Sequence, residues 1–402
     1  MATDIKDTVR AVEASAVMEL LPARPRLLAL GEPTHGEGTL LGLRNELFRH
    51  LVEEEGYRTI AIESDCVAGL LVDDYVVSGT GTLDEVVERG FSHGWGAFAG
   101  NRELVRWMRA HNEDLDPSER VRFAGFDGPL EITAAASPRQ TLTALHGYLA
   151  AHVDTDLLPC TGEELDRLLG DDERWTEPAA MRDPARSVGQ STEAARLRLL
   201  ADDLVALLDA ETPGLLTATS SDDLRLARLY GRTAMGLLRY HHWMADTSPA
   251  RLTRLVGVRD QMMAGNLLAL AARGQVLVSA HNSHLQRERS SMRMGGKPLE
   301  WWSAGALVNA ELGDAAYAFV ATALGTIHHR GVGAPPPDCV EGLLYALPDD
   351  RCVVDPPRLA AALAGTPPEH RVSPWFGYAS FDPAHLAGVD ALVFVKDVTQ
   401  GS

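Results

Sequence analysis

The sequence predicts an α/β fold in which a mostly parallel central sheet is flanked by helices and carries an inserted helical subdomain. Three observations predict it: short apolar runs recur along the chain, a helical pattern separates the first two, and the central third changes to long helical periodicity. Runs that are apolar throughout are typical of strands covered on both faces. The chain has 402 residues, of which 45% are hydrophobic, and this is enough to bury a large core.

The predicted strands are short segments rich in Val, Ile, Leu or Phe. Strands at 26–31 and 58–63 enclose an amphipathic helix at 39–55, so this region is a predicted β-α-β unit. In open parallel sheets, ligand sites lie just past the carboxyl ends of the strands. The remaining strands are predicted at 121–127, 275–281, 317–324 and 391–398.

The central part of the chain has a different pattern. Leu and Ala repeat at helical spacing through 193–209 and 222–244, which indicates long helices. We therefore expect an α/β catalytic core at 1–137 and 251–402 and a helical insertion at 138–250. Because helices beside a sheet edge often line a cleft, we expect the insertion to form a cleft wall.

Composition excludes several classes of protein. Lys and Arg total 37 against 56 Asp and Glu, and the net charge of −19 disfavours nucleic acid and anionic membrane surfaces as partners. Without a run of about 18 apolar residues or a secretory signal pattern, the expected location is cytoplasmic. The four cysteines are far apart and contain no C-x-x-C pair, so neither a disulfide framework nor a cysteine zinc site is expected.

Side chains that can move protons follow three of the predicted strands. Glu32 and His35 follow the first strand, Glu63 ends the second, and His281 and His284 follow the fourth. An imidazole can accept a proton from water near neutral pH while a carboxylate orients its ring and stabilises the charged form. His35 is therefore the candidate general base, and either glutamate is a candidate for orienting it.

Other side chains complete the predicted site. Arg44, in the following helix, is a candidate donor to an oxyanion beside His281 and His284, or alternatively a salt-bridge partner of a strand-end glutamate. The two glutamates and three histidines are also usual ligands of a divalent metal. No motif has a fixed metal-ligand spacing, however, so we expect neither a metal nor a cofactor. A Ser/His/Asp triad is disfavoured because no G-x-S-x-G elbow follows a strand.

Aromatic residues are candidates for binding an apolar substrate. His93 and Trp95 lie in a glycine-rich loop, and Trp301 with Trp302 opens a predicted helix. Such rings can line a large apolar pocket, although packing in the core is an equally good explanation for the tryptophan pair.

Several separated motifs resemble those of the erythromycin esterase family. The resemblance covers roughly residues 26–325, and the motifs occur in the family's order. They are G-E-x-x-H at 31–35, an arginine nine residues after that histidine (Arg44), a strand ending in Glu63, G-x-D at 125–127, R-D-x-x-M-A-x-N at 259–266, and H-N-x-H at 281–284.

The resemblance implies an α/β fold with a helical subdomain and a deep cleft. It implies hydrolysis of a macrocyclic lactone with His35 as general base and without a nucleophilic serine. Asp127 and Asn282 belong to the shared motifs and are expected to contact substrate. Where macrolide-resistance members carry a bulkier apolar residue after the histidine, this chain continues as Gly36-Glu37-Gly38, so we expect a different pocket shape. The residues to which the resemblance assigns a place in the active site are Glu32, Arg44, Glu63, His281 and His284.

These observations predict an ester or lactone hydrolase acting on a small molecule such as a polyketide or macrolide. One alternative is a tailoring enzyme of specialised metabolism that uses the same base for transesterification, elimination or cyclisation. Another is a protein that binds a polyketide-like ligand without turnover. The full set of acid–base residues argues against the binding protein.

Overall fold

An eight-stranded, mostly parallel sheet is the centre of the fold. The computed structural model describes residues 5–21, 23–131, 134–294 and 296–398. The strands are β1 (Val9–Arg10), β2 (Leu27–Glu32), β3 (Thr59–Asp65), β4 (Arg122–Asp127), β5 (Leu130–Glu131), β6 (Ala134–Ala135), β7 (Val276–His281), β8 (Arg289–Met294), β9 (Lys297–Trp302), β10 (Tyr317–Ile327), β11 (Arg351–Val354) and β12 (Ala391–Val398).

The strand order in the large sheet is β1-β11-β12-β10-β2-β7-β3-β4. β2 and β7 pair in parallel along their whole length, and β7 also pairs in parallel with β3. β12 and β2 flank β10 in parallel, whereas β11 and β1 add an antiparallel edge. The predicted α/β class with a mostly parallel sheet is confirmed, and the six predicted strands are β2, β3, β4, β7, β10 and β12.

Two strands at one side of the large sheet escaped prediction because they are short. β1 has two residues and β11 has four, which is too few for an apolar pattern to stand out. β5 pairs with β6, and β8 pairs with β9 in an antiparallel hairpin, as two further small sheets.

Helices connect and follow the strands. Those predicted at 39–55, 193–209 and 222–244 correspond to α2 (Gly38–Glu54), α8 (Thr192–Ala210) and α10 (Ser221–Met244). α10 begins with a capping box formed by Ser220 and Asp223, which satisfies the backbone N–H groups at its first turn. The helices are α1 (Ala14–Leu20), α2 (Gly38–Glu54), α3 (Gly69–Ser78), α4 (Leu83–Arg89), α5 (Ala99–His111), α6 (Arg139–His152), α7 (Gly162–Leu169), α8 (Thr192–Ala210), α9 (Thr212–Ala218), α10 (Ser221–Met244), α11 (Arg251–Ala271), α12 (Asn282–Leu285), α13 (Ala304–Leu312), α14 (Val340–Tyr345) and α15 (Pro356–Leu363).

The chain divides into two compact units. The first comprises Met1–Ser64, Ala68–Phe126 and Leu267–Ser402, and the second comprises Asp65–Val67 and Asp127–Asn266. The second unit begins before residue 138 and ends after residue 250, so it is longer than the predicted insertion. The expectation that the insertion forms a cleft wall stays a prediction.

Each unit has its own apolar core. In the first, side chains such as Leu28, Phe48 and Ile60 are fully buried between the sheet and its helices. In the second, a leucine-rich cluster joins α6, α7, α8 and α10, with Leu145 and Leu204 fully buried. The helices that the structure describes are all too short or too polar to cross a membrane.

A side-chain amide fills a gap between two central strands. β10 pairs with β2 only over its first four residues. Beyond that point Asn282 donates from Nδ2 to the carbonyl of Thr322 at 2.8 Å and accepts at Oδ1 from the Thr322 N–H at 3.3 Å. A Cβ atom at Gly31 would lie 2.1 Å from Asn282 Oδ1, so only glycine leaves room for this amide.

Replacing Gly31 with alanine tests this arrangement. The added methyl group displaces Asn282 and breaks its link to β10, so we expect the free energy of unfolding to fall by about 2 kcal/mol or more. Gly42→Ala in α2 is the matched control, because an added Cβ there meets no atom within 4 Å. We expect the control to be neutral or to stabilise by up to about 1 kcal/mol in urea unfolding. Equal urea concentrations at the midpoint of unfolding for the two variants would contradict this role for Gly31.

Candidate active site

His35 lies in the turn after β2 and is oriented by Glu32. Its Nδ1 atom is 2.7 Å from Oε1 of Glu32. Because an ionised carboxylate only accepts hydrogen bonds, Nδ1 carries the hydrogen and the neutral ring has its lone pair on Nε2. The ring is 29% exposed. This is the tautomer that a general base acting through Nε2 requires.

Glu63 connects the ends of β2, β3 and β7. Its carboxylate is 2% exposed, and Oε2 accepts the backbone N–H of His281 at 2.8 Å. The same oxygen lies 3.9 Å from His35 Nε2, while Oε1 lies 3.4 Å from Nε2 of His284. One buried carboxylate therefore holds the β7 end and faces two imidazoles.

Charge and burial oppose each other at His35. Burial lowers the pKa of its imidazole, but the carboxylates of Glu63 and Glu32 raise it by more, so the net pKa lies above the ordinary value. The positive form of the ring is thus stabilised at the point where a base would acquire a proton.

His281 has both ring nitrogens engaged within the fold. Nε2 donates to the carbonyl of Pro33 at 3.0 Å, and Nδ1 accepts from the Ser283 hydroxyl at 2.6 Å and from the Ser283 N–H at 3.3 Å. Burial and then the neighbouring His35 lower the pKa of His281 to about 3. His281 is therefore neutral and fixes the turn that carries His35, and a hydrogen bond from His281 to an oxyanion stays a prediction.

Arg44 is buried in α2 and lies beside the Glu32–His35 pair. It donates from Nε and Nη2 to Oδ1 of Asn45, at 3.1 and 2.8 Å. Burial lowers the pKa of Arg44 to about 10, whereas the Glu32 carboxylate raises it. Arg44 stays positive at neutral pH and acts on Glu32 through its charge. With Glu32, His35 and Asn101 it surrounds a small cavity of about 10 Å³.

Trp95 supports the ring of His35. Their ring centroids are 4.6 Å apart, and His93 packs on Trp95 at 5.4 Å. His93 has a φ of 57°, a region that non-glycine residues rarely adopt, so the loop is held in a strained conformation at this place. Substrate contact by His93 and Trp95 stays a prediction.

Asp127 and Asn282 are built into the fold. Asp127 is fully buried and accepts from Nε and Nη2 of Arg259 at 3.0 and 2.7 Å and from the Gly128 N–H at 2.7 Å. Asn282 binds the backbone of β10. The G-x-D and R-D-x-x-M-A-x-N motifs thus meet in one ion pair on the buried Asp127. Asn282 also lines the cavity beside Trp301, and substrate contact by Asp127 and Asn282 stays a prediction.

Trp301 lies in a strand and not at the start of a helix. It belongs to β9, and the next helix starts only at Ala304, so that expectation was wrong. The ring is buried and lines a cavity of about 710 Å³ in the first unit, beside His281. Trp375 and Phe376, in an irregular segment, line the same cavity. Sequence reasoning missed them because no strand or helix pattern marks that segment.

A cluster that the sequence did not reveal forms around the buried carboxylate of Glu37, in the turn after His35. The carboxylate of Glu37 is 1% exposed, with Oε1 2.6 Å from Nε of Arg330 and Oε2 3.1 Å from Nε2 of His329. Arg330 also donates from Nη2 to the His35 carbonyl at 3.5 Å. The His-His-Arg run after β10 was the available signal for this cluster.

The four cysteines are buried and free. Burial raises the pKa of their thiols, as at Cys66 and Cys352, which reach about 12. Within residues 5–21, 23–131, 134–294 and 296–398, no three His, Cys, Asp or Glu side chains are arranged to hold a metal ion. Freedom from metal stays a prediction that elemental analysis would check.

A histidine oriented by one carboxylate and facing another, at the carboxyl ends of parallel strands in an α/β fold, is an arrangement suited to proton transfer. The family model "Erythromycin esterase" matches residues 52–398. The chain therefore belongs to the erythromycin esterase family. The matched region begins after Glu32, His35 and Arg44.

A curated relative and solved structures agree with this assignment. The erythromycin esterase type II of Escherichia coli is 32% identical over 107 residues, which span 26% of this chain and 24% of that protein. A Bacillus cereus protein of known structure has a TM-score of 0.74 at 17% identity, covering 99% of this chain and 98% of its own. A histidine-to-asparagine mutant of an erythromycin esterase in its open conformation has a TM-score of 0.68 at 18% identity. The match covers 96% of this chain and 94% of that one. At such identities the structures show a shared fold.

Substitution of Glu32 tests the electrostatics of the pair. In the unchanged protein, the pKa of His35 lies above its ordinary value because two carboxylates outweigh the effect of burial. Glu32→Gln removes one of these carboxylates, so we expect the pKa of His35 to fall. Histidine NMR titration measures both values without a substrate. Glu54→Gln is the matched control, because Glu54 pairs with a different histidine, His50, at 3.2 Å. The pairing would be refuted by an unchanged His35 titration in Glu32→Gln.

Proposed function

We propose that the protein hydrolyses an ester or lactone by direct attack of a water molecule that His35 deprotonates. The observation that carries this proposal is the 2.7 Å contact between His35 Nδ1 and Glu32, which leaves Nε2 as the basic atom. Membership of the erythromycin esterase family supports the reaction class.

The charges around His35 suit each step of such a reaction. Water transfers a proton to His35 Nε2 as its oxygen bonds to the carbonyl carbon, and the buried Glu63 carboxylate stabilises the imidazolium that forms. When the tetrahedral intermediate collapses, the same imidazolium returns the proton to the departing alkoxide. His284, with Nε2 3.4 Å from the Glu63 carboxylate, supplies further positive charge for an oxyanion when it is protonated.

The cavity beside His281 supports a bulky, largely apolar substrate. Its volume of about 710 Å³ is in the range of pockets that enclose a drug-sized ligand. Trp301, Phe319 and Trp375 supply aromatic surface along its wall. We therefore propose a small-molecule substrate of the polyketide or macrolide type. The same base would also serve transesterification, elimination or cyclisation, and isotope labelling separates these reactions from hydrolysis.

Removal of the base tests its assignment. We expect His35→Asn to lose about 10²–10⁴-fold in kcat, because general base catalysis is lost while the cavity still binds substrate. Erythromycin and a set of p-nitrophenyl esters are suitable substrates. Glu63→Gln should lose less if the carboxylate only stabilises the charged ring. His50→Asn, at a half-buried histidine of α2 that does not line the candidate site, is the control and should retain activity. Retention of more than about a tenth of turnover by His35→Asn would refute the assignment.

Oxygen labelling tests direct attack by water. In ¹⁸O-labelled water, a single turnover should place one label in the new carboxylate, because the oxygen of the attacking water is retained there, and no acyl adduct should form on the protein. Mass spectrometry of product and protein provides the readout. A product without label would indicate transesterification, elimination or cyclisation, and an acyl adduct on the protein would indicate a covalent nucleophile.

A further inference from the structure

Helices α10 and α11 enclose a second cavity, within the second unit. Its volume is about 200 Å³. The chain as a whole is strongly acidic, yet this cavity has no carboxylate in its wall. The wall combines two arginines with neutral polar side chains, apolar side chains and glycines, among them Arg232, Arg239, Thr233, Gln261, Val258 and Met262.

The R-D-x-x-M-A-x-N motif builds this cavity, and the proposed hydrolysis makes no use of it. Arg259 anchors the helix to the buried Asp127, whereas Asn266, at the end of the motif, accepts from Nε of Arg232 at 2.7 Å. A guanidinium bound through Nε keeps its two terminal nitrogens as donors for another group. Arg232 is therefore oriented in advance by a side chain that bears no charge.

The positive charge in the cavity is not neutralised within the protein. Among the side chains that the structure describes, no carboxylate forms an ion pair with Arg232 or Arg239. Burial and the nearby charge of Arg228 lower the pKa of Arg232, which shows that its charged form is partly desolvated. Partial desolvation of the half-buried Arg232 without a counter-charge has a free-energy cost, and an anion entering the cavity would offset that cost.

We propose that this cavity binds a doubly charged tetrahedral oxyanion, a phosphate or sulfate group. Two guanidinium groups balance two negative charges, and their planar forks match the oxygens of such a group. Thr233 and Gln261 add neutral donors. The volume admits the anion with a few attached atoms, and Val258 and Met262 provide apolar contact for those atoms. This function lies beyond the proposed ester hydrolysis, whose residues belong to the first unit.

Calorimetric titration of the full chain tests the site with inorganic phosphate, sulfate and acetate. We expect phosphate and sulfate to bind and to raise the melting temperature, and acetate to bind at least about tenfold more weakly because it carries a single charge. Absence of heat and of a thermal shift with both dianions would overturn the proposal. Acetate binding as tightly as phosphate would overturn the assignment to a dianion.

Two variants and a control locate the site. Arg239→Gln changes an exposed side chain, so the protein is expected to fold and to lose about tenfold or more in phosphate affinity. Arg232→Gln should lose as much. Arg254→Gln removes the same charge from an arginine of α11 that stacks on Trp243 at 5.3 Å and does not line the cavity, so it should bind phosphate as before. Unchanged affinity in Arg239→Gln and Arg232→Gln would place any bound phosphate elsewhere and overturn the proposal.

Comparison of inorganic phosphate with phenyl phosphate distinguishes two sources of the anion. Tighter binding of phenyl phosphate, lost in Val258→Ser, would support a phosphate or sulfate group carried by a larger molecule. Equal binding of both probes would support a free anion. Both results require the same arginines, so each supports the site and specifies its ligand.

Discussion

The buried carboxylate of Glu63 is the interaction on which the site depends. A carboxylate that is 2% exposed is stable only with hydrogen bonds and compensating charge around it. Here the backbone of His281 supplies the hydrogen bond, and the imidazoles of His35 and His284 supply groups that can carry positive charge. The arrangement exists because β7 lies between β2 and β3, so that the three strand ends come within reach of one side chain.

The histidines around this carboxylate have different tasks because their environments differ. His35 has one nitrogen on Glu32 and the other facing Glu63, so its positive form is favoured. His281 gives its Nε2 hydrogen to a backbone carbonyl and is surrounded by the fold, so its neutral form is favoured. One residue is thus suited to accept a proton, and the other to hold the turn from which that residue projects.

Several residues of the motifs that resemble the family stabilise the fold. Asn282 closes the gap between β2 and β10, and Asp127 with Arg259 forms a buried ion pair. Asn266 orients Arg232 in a basic cavity of an otherwise acidic chain. The motifs shared with the family therefore include residues that stabilise the fold.

The sequence by itself determined the α/β class, six strands, the long helices and the set of Glu32, His35, Glu63, His281 and His284. It did so because apolar periodicity is local and because the ends of adjacent parallel strands must meet at one edge of the sheet. Only the tertiary structure decided the tautomers, the burial of Arg44, the strand position of Trp301 and the cluster around Glu37. These features depend on contacts between residues far apart in the chain, such as His281 with Pro33 or Glu37 with Arg330, and no local pattern encodes such contacts.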